Sequence, residues 1–112
     1  MGAAVYTAII PAKFAENSTT DQYTATNVTT VISAFVATNQ TALDAVFSVW
    51  LVPPGGSASN ASRIIPAITI KAGTARELTE LVGQALASSG KIYTLAGTAS
   101  AITIIVSGRE IS

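Results

Sequence analysis

The chain has no cysteine and no histidine among its 112 residues. Without cysteine there are no disulfide staples and no thiolate chemistry. Without histidine there is no imidazole base and no zinc site of the Cys/His kind. Charge is scarce too: 11% of residues are charged, against roughly 25% in an average soluble domain. Six basic and six acidic residues cancel to a net charge of +0. Such a chain has no field to steer a polyanion. Its cations, Lys13, Arg63, Lys71, Arg76, Lys91 and Arg109, form no basic run, so nucleic acid is not expected as a partner. No apolar run approaches the roughly 18 residues of a membrane span, so no membrane partner is expected either. The start, "MGAAVYTAIIPAKF", lacks a basic n-region and its apolar run is cut by Pro11, so no signal peptide is expected. Tyr6 stands where a myristoylation motif needs Ser or Thr. The poverty of charge leaves a surface rich in Ala, Ser, Thr and Asn. That surface is either covered by neighbours in an assembly or simply neutral.

What the chain does have is strand signal. The length fits one domain, residues 1–112, with 1–20 as a possible N-terminal arm, and it suffices for a core without disulfide or metal. Segments 4–10, 21–27, 28–39, 44–52, 63–71, 91–97 and 100–111 are rich in β-branched and aromatic residues. In 44–52, Ala45, Phe47, Val49 and Leu51 share one face and Val46, Ser48, Trp50 and Val52 the other. Both faces are fairly apolar, which predicts a central strand or one with a partner on its second face. In 63–71, Ile64, Ile68 and Ile70 share a face with Pro66, whose missing N–H predicts a sheet edge or a bulge. In 100–111, Ile102, Ile104 and Val106 alternate with Thr103, Ile105 and Ser107. Segment 75–90 differs: Leu78, Leu81, Val82, Ala85 and Leu86 recur at helical spacing, predicting a short strand at 75–78 and a short helical turn near 79–87. Together these predict an all-β, antiparallel β-sandwich of seven or eight strands, jelly-roll or immunoglobulin-like.

The stretch "WLVPPGGSASNASRII" (50–65) holds the one glycine-rich loop. A phosphate cradle needs a strand, a Gly-rich turn and a helix, usually with Lys. Here no Lys follows and the next element reads as a strand. The loop is therefore expected to turn a hairpin, with Gly55 and Gly56 supplying flexibility after the stiff Pro53-Pro54 pair. Its small polar tip, including Ser57 and Asn60, is expected to reach a neighbouring subunit. Trp50 becomes a candidate subunit contact if its face is open in the monomer. The carboxylates Glu77, Glu80, Asp21 and Asp44 form no pair of the glycosidase kind and read as solvated rim charges. Asn17, Asn27, Asn39 and Asn60 all sit in N-x-[ST] form. Strand-end and turn chemistry, with the side chains bonding nearby backbone, is the preferred reading over glycosylation. No catalytic, cofactor or metal residue is assigned, and an enzyme is not expected.

Several blocks carry a resemblance: "TNVTTVISAFVATN", "VFSVWLVPPGGSASNASRII", "ITIKAGTARELTELVGQAL" and "ASAITIIVSGREI". Their order resembles that of small β-rich virion structural proteins of tailed bacteriophages, over about Tyr23 to Ile111. The pattern maps onto Gly55, Gly56, Glu80, Leu81, Val82, Gly83, Gly108, Arg109 and Glu110. The resemblance implies a virion protein made in the cytoplasm of a host bacterium. The favoured role is capsid decoration, or cement: a homo-oligomer, by preference a trimer, bound to the major capsid protein or another virion protein. The alternatives are a tail or head–tail component, or a host-recognition or carbohydrate-binding module on the tail. Arg63, Arg76, Arg109 and Glu110, near strand ends, would then fix register in such contacts.

Overall fold

The computed structural model describes residues 3–112. Nine strands run through it: β1 (Ala4–Phe14), β2 (Thr20–Thr24), β3 (Thr29–Asn39), β4 (Ala45–Val52), β5 (Arg63–Ile70), β6 (Ala75–Glu77), β7 (Ala85–Leu86), β8 (Lys91–Ala96) and β9 (Ile102–Ile111). They form two antiparallel sheets. The first has the order β1-β9-β3-β6, with β7 also paired to β3; the second has the order β2-β8-β4-β5. The all-β expectation holds, and the two sheets share one core in a sandwich-like arrangement.

Alternation builds that core. Ile102, Ile104 and Val106 of β9 are fully buried, as are Ile32 and Phe35 of β3 and Phe47 and Val49 of β4. Phe35 and Phe47 meet across the two sheets with ring centroids 6.4 Å apart and planes tilted by 58°. Burial of each such side chain stabilises by roughly 1.5–3 kcal/mol. Residues 4–14, part of the stretch considered as an arm, are built into the first sheet as its edge strand, with Ile9 and Ile10 in the core. β1 continues through Pro11 by shifting register against β9 between Ile10 and Lys13.

One local expectation is met and one needs correction. The short strand and short helical turn expected over 75–87 are present as β6 and one 3₁₀ turn at Thr79–Leu81, followed by the strand Ala85–Leu86. The turn completes the bonding of β3 between β6 and β7. The Leu78 N–H donates to the Phe35 carbonyl (2.8 Å), the Gly83 N–H donates to the Ile32 carbonyl (2.7 Å), and the Ile32 N–H donates to Gln84 (3.0 Å). Leu78, Leu81 and Leu86 are buried because they cap this edge of the core, so their spacing imitates a helix. The correction concerns β5. It is an edge strand and it bulges, as Pro66 implied. The bulge inverts the phase before it: Ile65, not Ile64, joins Ile70 in the core, and Ile64 is 41% exposed. Ala67 takes a positive φ of 39° there, and its N–H donates to Ser48 Oγ at 2.8 Å.

Candidate functional site

The β4–β5 loop is ordered by its own bonds. The Gly56 N–H donates to the Pro53 carbonyl at 2.9 Å, and Gly55 takes a φ of +75°. Pro at the second and a positive-φ Gly at the third position give the chemistry of a type II turn. Beyond it, Ser62 organises the tip. Its Oγ lies within hydrogen-bond distance of the Ser57 and Ser59 carbonyls (3.0 and 3.2 Å) and accepts the Ser59 N–H (3.2 Å). Ser62 is buried, while Ser57 and Asn60 remain exposed. The residues of this turn line a shallow hollow of about 260 Å³ that carries no charged group.

At the loop's base the Arg63 guanidinium lies over the Trp50 ring, 5.9 Å from its centroid, within cation–π range. Arg63 Nε is buried without a hydrogen-bond partner among the described residues. Trp50 is only 6% exposed. Its candidacy as a subunit contact required an open face, and that face is closed in the monomer. β4 is central, between β8 and β5, which accounts for its two apolar faces.

The remaining sequence candidates lie in β9. Glu110 accepts a hydrogen bond from the Tyr23 hydroxyl, which also lies 2.7 Å from Thr30 Oγ1. Tyr23 belongs to the second sheet, and Thr30 and Glu110 are cross-strand partners in the first, so the cluster ties the sheets together. Tyr23 pairs with Ile92 and Ile92 with Leu51. This register puts Glu110 at the same end of the domain as the glycine loop. Arg109 points to the opposite face of the first sheet, between Tyr6 on β1 and Val31 on β3. It makes no ion pair among the described residues. All eight candidates, Trp50, Gly55, Gly56, Ser57, Asn60, Arg63, Arg109 and Glu110, therefore share one end but not one surface.

Burial, followed by the bond to Glu110, pushes the Tyr23 hydroxyl up to about 12. The unfolded chain releases this proton near pH 10, and the folded chain holds it longer. The contribution to stability is thus fully present below pH 10 and is lost as pH rises through the folded value of about 12. Wild-type melting temperature is expected to fall more steeply between pH 10 and 12 than that of Tyr23→Phe. Parallel slopes in a pH-resolved melting series would sink this assignment.

The carboxylates act locally. Arg76 and Glu80 pair at 2.8 Å, and Lys91 and Asp21 at 3.6 Å. Asp44 accepts the Ala72 N–H at 3.0 Å. Glu16 lies below the usual carboxylate range, chiefly because the Gln22 amide donates to it and then because Lys13 does so at 3.1 Å. These exposed pairs stabilise little. Among the described residues no cluster of three or more Asp or Glu could hold a metal ion, and no helix is long and apolar enough to cross a membrane.

Turn chemistry accounts for Asn39. It is buried, its Nδ2 donates to the carbonyls of Leu43 (2.8 Å) and Ile70 (2.9 Å), and its Oδ1 accepts the Thr41 N–H (2.9 Å) and hydroxyl (2.8 Å). Asn27 sits in the left-handed region with φ 58°. What sequence reasoning missed is an apolar groove on another side of the same end. Leu51, Pro53, Pro54 and Ile64 form one wall, and Gln84 to Ala87 the other, enclosing about 340 Å³. The walls are 20 or more positions apart in the chain, and no local pattern joins them.

Comparison with protein-family models, curated proteins and solved structures returns no match to this chain.

Proposed function

We propose that this chain is a non-enzymatic structural protein of a tailed-phage virion, a capsid decoration protein that binds major capsid subunits as a homo-oligomer. The observation that carries the reading is the strand order. If β6 and β7 count as one interrupted edge, consecutive strands alternate between the sheets except at the β4–β5 hairpin. That order supports a jelly roll over an immunoglobulin-like sandwich, in which the first two strands share a sheet. Jelly rolls recur in viral capsid proteins, which is support by analogy of fold. The blocks that resemble virion proteins cover β3, β4 with its loop to the start of β5, the end of β5 through β6 and the turn to β7, and β9.

The ordered tip, Ser57 to Ser62, is the surface proposed to meet the shell. Its exposed small residues let a neighbouring backbone approach closely, and its internal bonds reduce the entropy lost on docking. A carbohydrate-binding module would stack sugars on exposed aromatics at the loop end, where the chain offers Trp50 and Tyr93. Trp50 is buried and Tyr93 half-buried, which weighs against it.

Particles made without this chain are expected to release their DNA at a lower temperature than complete particles. Purified protein added back should restore retention. Equal heat stability and DNA retention in the two kinds of particle would overturn the decoration role.

A further inference from the structure

Tyr6 is 77% exposed and its neighbour Val5 is 58% exposed, both near the start of edge strand β1. The two side chains leave opposite faces of the strand: Val5 pairs with Glu110, which faces the other sheet, and Tyr6 pairs with outward-facing Arg109, so Tyr6 stands on the outer face. The opposite edge of the same sheet carries β7, one wall of the apolar groove. Pairing register places the two features on one level. Tyr6 pairs with Arg109, Arg109 with Val31, and Val31 with Ala85. One row across the sheet therefore runs from an aromatic knob at one edge to an apolar groove at the other.

We propose that the groove receives Tyr6 of a second copy of this chain, so that copies join edge to edge into a closed ring whose axis runs along the strands. A contact between two different patches is heterologous. It gives a ring if repetition adds no translation along the axis, and an open filament if it does. Knob and groove at one strand level meet that condition. The groove, lined by Leu51, Pro53, Pro54, Ile64, Ala85 and Leu86, holds no charged side chain. The net charge of +0 adds no repulsion between copies. Tyrosine suits the role because the ring supplies apolar area while the hydroxyl stays at the wet rim. A heterologous ring needs at least three copies, since a two-fold contact is isologous. This inference rests on the homo-oligomer in the proposed function and names its interface. It needs no capsid, so its test is separate from the decoration test.

The absence of cysteine gives a clean background for cross-linking. In one chain, Tyr6 and Ala85 lie three strand spacings apart, roughly 14 Å, too far for an internal disulfide. Both positions are exposed, so replacing them should leave the fold intact. The expected result for Tyr6→Cys/Ala85→Cys under mild oxidation is a covalent ladder ending at a closed species of at least three times the 11.4 kDa chain mass. Each single variant should stay uncross-linked, and Tyr6→Asp should reduce the wild-type ring to monomer in sizing with light scattering. Double-variant chains that remain monomers with free thiols would overturn the proposal. So would Tyr6→Cys alone forming dimers as readily as the double variant, because that marks a two-fold contact through β1.

Discussion

Gly108→Ala is expected to destabilise the domain by about 3 kcal/mol or more, a large fraction of the roughly 5–15 kcal/mol that holds a typical domain folded. Gly108 lies in β9, between Thr7 of β1 and Ile32 of β3. A β-carbon there would fall far inside contact distance of the Val31 carbonyl oxygen and 3.2 Å from Ile9 Cγ1. The obstacle is backbone, held in the ladder that joins β3 to β9. Relief requires that ladder to shift beside the bulge between Ile32 and Ala34, with loss of hydrogen bonds worth about 1 kcal/mol each. Urea unfolding gives the check: the midpoint should drop while the slope stays constant. A loss under about 1 kcal/mol would mean that the strands can separate at this point at little cost. The S-G-R-E-I block thus combines three duties. Gly108 permits close strand approach, Arg109 faces outward beside Tyr6, and Glu110 ties β9 to Tyr23 of the other sheet.

Asn39→Ala is expected to cost about 2–4 kcal/mol, from buried groups left without partners at about 1–3 kcal/mol each. The Asn39 amide uses all four of its hydrogen-bonding positions at the end of β3. Removing it strips the Ile70 carbonyl and the Thr41 N–H of these bonds, and the β3–β4 connection loses its anchor to β5. The melting temperature should fall by on the order of 10–20 °C. Asn39→Asp should not rescue it, because a carboxylate keeps the acceptor for Thr41 but presents no donor to the two carbonyls and buries a charge. A melting temperature within a few degrees of wild type for Asn39→Asp would show that the two donated bonds contribute little.

These two residues show what can be read from a sequence and what cannot. Asn39 was legible as turn chemistry, because N-x-T after a long β-branched run is a local signal. Its bond to Ile70, 31 positions away, was not. Gly108 was legible only as part of a terminal block, since nothing nearby in the chain says that β3 passes so close. Alternation placed the core residues of β9 correctly because that strand keeps an even phase throughout. It failed in β5, where one inserted residue beside Pro66 exchanged Ile64 for Ile65. The 75–90 segment was legible as a short strand and one helical turn, but not as ending in the strand β7. Three leucines capping a sheet edge from a turn can imitate the spacing of a helix.

By itself the sequence determined the class of the domain and the chemistry it excludes. Period-two burial of β-branched residues leaves little but antiparallel sheets, and the lack of His and Cys removes imidazole and thiolate chemistry. It also determined that the 50–65 loop turns a hairpin, because Pro-Pro-Gly-Gly restricts the backbone wherever it occurs. Only the tertiary structure decided that Trp50 is closed by Arg63, that Tyr23 and Glu110 bind the sheets at one end, and that Tyr6 and the apolar groove share a strand level. The physical reason is range. Backbone dihedrals and alternation are set by neighbours in the chain. Burial, close approach and the walls of a groove depend on which distant strands lie side by side, and that pairing is settled by the whole core at once.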